Sequence, residues 1–495
     1  MAYYPDWVAS SFPPEKVDFT RFDWVDFAFA VPTQTFGLGW DGDADTPDLL
    51  RRLVSAAHQS GKYVKLSIGG WTGSKYFSPA VSTPQNRQTF VNNILAAYNQ
   101  FGLDGIDIDW EFPAQDGDKG NIENPNDTAN YLAFLQLLRQ TLPSAAKISA
   151  ATMTVPWADP HGNPLKDVSA FGKVLDWILL MNYDTWGSSS VPGPNAPLSN
   201  ACHNSTQSSA SAVAGVMSWT SAGFPVNKIV MGLPSYGYIS RSGSTSLMTR
   251  SVVHASRRQR RAPHVPMHVD PASQEAQVTT MGEEEDPLAE TEGAKSGSSP
   301  PAAFMVHNED GGTEDGQVQF RDLVDQKALS YISAWSSATR VAVAGTAQDG
   351  EKTDGPNNSK DAGDGGDTGQ SDNSGDAGNA DNAGNSDAGS TDPPSDGTSN
   401  DSQVGMSSIA FAGQQIDNVF NGQNGFVREW DACSSTPYMH SAAAKQVITY
   451  DDPQSLEMKA VFVRAAGLLG ANMFDVHGDT DQWDLTDGIR RGLGL

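Results

Sequence analysis

Four carboxylates fall within eight residues of this chain, in the run Asp104-Gly105-Ile106-Asp107-Ile108-Asp109-Trp110-Glu111. On an extended strand side chains alternate between faces, so Asp107, Asp109 and Glu111 share one side while Ile106, Ile108 and Trp110 share the other. The apolar side belongs against a covering layer, which turns three carboxyls toward an interior. Burying unpaired carboxylates costs several kcal/mol each even after relaxation. The cost falls if some of the acids are protonated or share protons, which is also the condition for a carboxyl that acts as a general acid near neutral pH. A wet acidic edge strand fits poorly with so apolar an opposite face. The spacing is not that of a calcium loop, so no metal and no cofactor are expected.

Such a run needs a scaffold covered on both faces, and the rest of the chain supplies the pattern for one. Strand-like segments at 2–8, 24–30, 63–70, 104–111, 147–153, 177–183 and 228–234 alternate with stretches of helical periodicity at 47–60, 86–101, 126–141 and 208–222. In 47–60, for example, Leu49, Leu50, Leu53, Val54 and Ala57 recur at three- and four-residue intervals. Alternation of this kind gives a parallel sheet, open or closed into an eight-stranded barrel. An eighth strand at 470–476 follows a helical run at 453–468. The expected organisation is therefore 1–240 for barrel strands one to seven and 451–495 for the last barrel unit. Between them come a loop-rich insertion at 241–315, an insertion domain in two parts at 316–346 and 406–450, and an acidic loop at 347–405. Inside the insertion, Val318, Phe320, Leu323 and Val324 fit a short helix, and 425–431 and 446–450 read as strands.

Composition narrows the function classes. The chain of 495 residues has 32 Lys and Arg against 59 Asp and Glu, a net charge of −27, which disfavours nucleic acid as a partner. The charge is uneven: 347–405 holds thirteen acids against Lys352 and Lys360, eleven units of the excess. With almost no apolar side chains, that segment is expected to be disordered. No run approaches the roughly 20 apolar residues of a membrane span. Two cysteines exclude a disulfide framework. The first residues, Met1-Ala2-Tyr3-Tyr4, do not form a basic and apolar leader, so the reading is a cytosolic protein or a mature or truncated form. The basic run Arg257–Arg261 and the acidic run Glu283–Asp286 are expected to lie in a solvated loop. Asp475, His477 and Asp479 suggest a metal site but read better as hydrogen-bonded loop residues.

The run Asp104-x-x-Asp107-x-Asp109-x-Glu111 resembles the signature of family 18 glycoside hydrolases, the retaining chitinases built on a TIM barrel. The likeness extends to Ser67-Ile68-Gly69-Gly70-Trp71, to Met181-Asn182-Tyr183-Asp184 and to Gly232-Leu233-Pro234-Ser235-Tyr236-Gly237. The segment 425–460 is similar to the second half of the small α+β domain that many members insert between strand seven and the final units. The resemblance covers 2–242 and about 406–495. It implies a (β/α)8 barrel and an endo-acting, extracellular, monomeric enzyme cleaving chitin or chitooligosaccharides. A chitin-binding lectin and an endo-β-N-acetylglucosaminidase are the alternatives on the same barrel. The implied catalytic residues are Glu111, Asp109, Asp107 and Tyr183. Tyr3, Phe29, Gly70, Trp71, Met181, Asp184 and Tyr236 match substrate-lining positions, and Asp104 and Ser67 belong to structural parts of the motifs. Strand eight departs from the family. Where members place a Trp two residues after a Met to floor the −1 sugar, Met473 is followed by Phe474 and Asp475, with Phe474 or Trp483 as the available replacements. Cys202 and Cys433 would both lie on the C-terminal side of the barrel, either bridged or as free thiols. Asn126, Asn204, Asn357 and Asn400 are glycosylation acceptors only if the chain is secreted.

Overall fold

A computed structural model of the chain describes residues 1–42, 45–247, 303–332 and 416–495. Eight strands run parallel and close on themselves: β1 (Ala2–Pro5), β2 (Trp24–Pro32), β4 (Tyr63–Gly69), β5 (Gly105–Asp109), β6 (Lys147–Thr152), β7 (Trp177–Leu180), β8 (Ile229–Pro234) and β16 (Gly470–Phe474). β1 pairs with β2 on one side and with β16 on the other, which closes the barrel. The Met1 ammonium secures the seam by donating to the Ala471 carbonyl at 2.9 Å. The short strand β3 (Leu38–Trp40) hairpins onto the end of β2 outside the ring.

Helices form where the sequence gives a stripe and a cap. In the helix Thr46–Gln59, Leu49, Leu50, Leu53, Val54 and Ala57 are buried, as their spacing predicts. The helix Pro84–Phe101 starts where the Thr83 hydroxyl accepts from the Asn86 amide, and it stops at Gly102, whose φ of 63° is the left-handed cap glycine favours. The helix Pro453–Ala465 opens on a reciprocal cap between Asp452 and Ser455. Among the described residues no helix is long and apolar enough to cross a membrane.

The chain between β8 and β16 forms the expected inserted α+β element. A five-stranded antiparallel sheet has the order β10 (Gly316–Gln319), β9 (Tyr236–Arg241), β15 (Gln446–Thr449), β14 (Thr436–Ser441), β13 (Val427–Asp431). The helix Phe320–Asp325 and a two-stranded ribbon of β11 (Leu329–Tyr331) and β12 (Phe420–Gly422) accompany it. β9 lies in the stretch that the sequence assigns to the barrel. Only Ser235 separates it from β8, and its pairing with β10 and β15 makes it the centre of the inserted sheet. The acidic segment 347–405, the Arg257–Arg261 run and the Glu283–Asp286 run lie outside the described residues.

Cys202 and Cys433 are bonded, with Cα atoms 5.1 Å apart. The bridge ties the segment after β7 to the turn between β13 and β14. Backbone bonds from Leu198 to Ser434 and from Ala201 to Cys433 run alongside it. Replacing Cys433 with Ser, or adding a reductant, should lower unfolding stability by about 2–4 kcal/mol in urea titrations. An unchanged midpoint would mean that the parallel backbone bonds alone hold the insertion.

Candidate active site

The parallel register brings polar side chains to one level of the barrel interior. Asp107 on β5 lies opposite Ser67 on β4 and beside Ser149 on β6. The Ser67 hydroxyl donates to Asp107 Oδ2 at 2.8 Å, the Tyr3 hydroxyl reaches the same oxygen at 2.9 Å, and Ser149 donates to Oδ1. Asp107 is thus a fully engaged acceptor at 1% exposure. Tyr3, matched to a substrate-lining position by sequence, is itself sealed and works from behind as a donor to this acid. Burial, then the neighbouring charges of Asp107 and Asp109, hold its phenol well above the ordinary value, so it keeps its proton.

Above Asp107 along β5, Asp109 is 3% exposed and Glu111, two residues past the end of the strand, is 8% exposed. The column therefore climbs from the sealed interior to the C-terminal mouth, where barrel enzymes place their chemistry. Ser74 fixes its upper end: its hydroxyl accepts from the Glu111 amide at 2.9 Å and donates to the Gly70 carbonyl at 2.7 Å. Asn121 donates to the Glu111 carbonyl at 3.2 Å. Gly70 has a φ of 82° and donates its amide to the Asp109 carbonyl at 2.8 Å; a Cβ there would press on the Phe29 ring at 3.0 Å. Asp104, the first acid of the run, points elsewhere. It accepts from the Val64 amide at 2.8 Å and lies 2.9 Å from the His58 ring, so it holds the start of the strand.

Aromatic rings gather at the same end. Tyr183, Tyr236, Phe29 and Phe474 are buried, and the Phe474 ring lies 5.2 Å from that of Tyr3 and 6.1 Å from that of Tyr183. Room for Tyr183 depends on Gly232, where a Cβ would come within 3.0 Å of the ring. Met181 and Trp71 are half-buried, and Met181 packs on the same cluster. Asp184, at a φ of 56°, is fixed by two donors to its carboxylate, the Tyr236 hydroxyl at 2.6 Å and the Tyr238 hydroxyl at 2.7 Å, and by its own amide, which donates to Asn195 Oδ1 at 2.9 Å.

At the strand-eight departure it is Phe474, and not Trp483, that stands with these rings. Its ring stands in the cluster, while the Asp475 carboxylate turns away to accept from the His477 and Gly478 amides. Trp483 packs edge-on against Phe12 and Phe22, outside this cluster. Asp479 likewise caps a helix, accepting from Leu485 and Thr486, so these acids serve local backbone.

Beneath Asp107 lies a group that sequence reasoning passes over. Lys65 has its ammonium 3.1 Å from Asp26 and 3.7 Å from Asp107, and it donates to Ser149. Asn472 donates to Asp26 at 2.9 Å. Burial pushes Asp26 up to about 6, with Lys65 pulling it back down and Asp107 adding to the rise. A signal was available: Asp26, Lys65, Ser149 and Asn472 are polar residues at inward positions of otherwise apolar strands.

The family model described as glycosyl hydrolases family 18 matches residues 1–479. A chitinase-like effector of Moniliophthora roreri is 44% identical over 238 residues, 48% of this chain and 58% of its own length. The match thus spans little more than half of that relative. An endochitinase of Metarhizium robertsii is 35% identical over 194 residues, 37% of this chain and 43% of its own. Among solved structures, a chitinase from Rhizomucor miehei superposes with a TM-score of 0.60 at 22% identity, covering 99% of both chains, which is a likeness of fold.

His477, at the exit of the eighth barrel strand, gives the region a pH dependence. Burial, then Arg321 and Lys16, lower its value to about 4, and Asp481 opposes them. A folded value below the unfolded one of about 6.5 means that stability is full above pH 6.5 and is lost as pH falls through 4. His477→Gln should flatten that acid-side loss, about 2–3 kcal/mol at most, in denaturation curves between pH 4 and 7. An unchanged slope would assign the loss to other groups.

Proposed function

The chain belongs to glycosyl hydrolase family 18, and on that premise we propose that it is an endo-acting chitinase that hydrolyses β-1,4-linked N-acetylglucosamine polymers with retention. The observation that carries the reading is the inward column Asp107, Asp109, Glu111, sealed at its base and ending at the barrel mouth. The catalysis is substrate-assisted, one of the exceptions to the two-carboxylate scheme.

Glu111 gives its proton to the glycosidic oxygen as the bond from that oxygen to the anomeric carbon breaks. The acetamido oxygen of the same −1 sugar attacks the anomeric carbon and forms an oxazolinium ion. Asp109 accepts from the acetamido N–H and balances the developing positive charge, and Asp107 shares a proton with it from below. The Tyr183 hydroxyl donates to the acetamido oxygen and holds it in line. Water then loses a proton to the Glu111 carboxylate and adds to the anomeric carbon from the face the leaving group left, so configuration is retained. Sugar faces stack on apolar rings; Phe474 supplies the smaller floor under the −1 sugar, Trp71, Phe29, Met181 and Asp184 line the groove, and the buried Tyr236 supports Asp184 from behind as a donor.

Tyr236 and Tyr238 of the inserted sheet donate to Asp184, which fixes that sheet beside the proposed groove. The Cys202–Cys433 bridge fits an oxidising, extracellular setting. A second reading is favoured by the name of the Moniliophthora relative: a barrel of this family that binds oligosaccharide without cleaving it.

A time course with chitohexaose separates the two. Internal cleavage should release shorter oligomers whose new reducing ends are first β-anomers, and Glu111→Gln should lower kcat by about 10²–10⁴ while binding persists. Binding by the wild type without any released product would establish the second reading, and wild-type activity in Glu111→Gln would overturn the mechanism.

A further inference from the structure

The Lys65 ammonium has no part in the reaction as written, yet it lies directly under the acids that do. Its side chain is 1% exposed, with Nζ 4.6 Å from the centre of the Trp177 ring. A buried ion pair is often replaced by packed apolar side chains with no loss of stability, so the Asp26–Lys65 pair is not explained by folding alone. Nor is the pair closed. Asp26 takes a second donor from Asn472, and Lys65 extends past Asp26 to Ser149 and to Asp107, the two joined by the hydroxyl that Ser149 donates to Asp107.

We propose that Lys65 is a positioning residue for catalysis, whose charge holds negative charge on Asp107 so that the proton shared by the two aspartates sits on Asp109 beside Glu111, and moves toward Glu111 as Glu111 gives up its own, which leaves on Asp109 the charge that faces the oxazolinium ion. The inference rests on the chitinase reading. Proton and charge balance within the pair: Asp107 gives up what Asp109 holds, and Lys65 only biases the partition. Other groups facing this layer cannot take its place. Tyr3 on β1 and Tyr131 on the helix Asp127–Thr141 are held in their neutral forms by burial, with the charges of Asp107 and Asp109 adding to the effect. The Met1 ammonium is lowered to about 6, first by burial, which leaves it a weaker cation. Ser67 and Ser149 donate hydrogen bonds without carrying charge.

The test is the double variant Lys65→Met/Asp26→Asn, which removes both members of the pair, compared with wild type on chitohexaose across pH. The acidic limb of kcat/KM should move up by about one pH unit, and kcat should fall about tenfold with KM little changed. A wild-type profile from the double variant would show that Lys65 serves only to neutralise Asp26, and the proposal would fall. Lys65→Gln, which keeps the stem and a donor toward Ser149, should give the same shift, so a folding defect in the double variant leaves the question decidable. Should the wild type bind chitohexaose without cleaving it, the chitinase reading fails on its own, and stability still reads the charge. The coupling between the Lys65→Met/Asp26→Asn change and Asp107→Asn, read from thermal midpoints in a double-mutant cycle so that the titration of Asp26 itself cancels, should then grow as pH rises from about 4 to 6. A coupling flat with pH overturns the proposal.

Discussion

Three acids on successive inward positions of one barrel strand can be buried together only if the strands on either side answer them at the same height. The rest of the site follows from this constraint. Parallel register places Ser67 and Ser149 on the two flanks of Asp107, and Tyr3 closes the remaining approach from across the barrel. One layer lower, Lys65 and Asp26 face each other across adjacent strands, so the column rests on a charged base and not on an apolar plug. Each interior hydrogen bond strengthens as water is excluded, and each would be costly to leave unmade, so the network tolerates little rearrangement.

The upper end answers a different need. In the proposed chemistry Glu111 exchanges a proton, and its backbone is fixed while its carboxyl stands at the mouth. Ser74 and Asn121 grip the amide and carbonyl of Glu111, and the tight turn at Gly69 and Gly70 brings the neighbouring chain against Asp109. Asp184 gains similar rigidity from two phenols and a side-chain amide, at a backbone angle that few residues adopt.

Much of this was legible in the chain. Short strand-like runs alternating with helical stretches located all eight barrel strands, and Leu49 to Ala57 marked a covering helix, because burial of one helix face leaves a signal in spacing. The acids were legible because four carboxylates in eight residues conflict with their surroundings. The layer beneath them showed only as single polar residues in apolar strands, since one lysine and one aspartate in separate strands become a pair only through register. Strand β9 was hidden for a related reason: Tyr236–Arg241 continues the apolar run of β8, and nothing local says that the chain changes sheets at Ser235. At strand eight, counting from Met473 set Asp475 in the place of an aromatic, whereas the strand delivers Phe474 to the site and spends Asp475 on a cap.

The ribbon of β11 and β12 has a bearing on how this gene product can vary. The backbone leaves at Ile332, whose amide donates to the Val419 carbonyl at 2.9 Å, and Leu329–Tyr331 pairs in antiparallel register with Phe420–Gly422. Whatever joins residues 332 and 416 therefore starts and finishes at neighbouring points, as the loop of a hairpin does. The entropic cost of closing such a loop rises only logarithmically, about 0.6 kcal/mol for each doubling of length. A change in the number of residues that join these two points is therefore a small term beside the packing of the barrel and the inserted sheet.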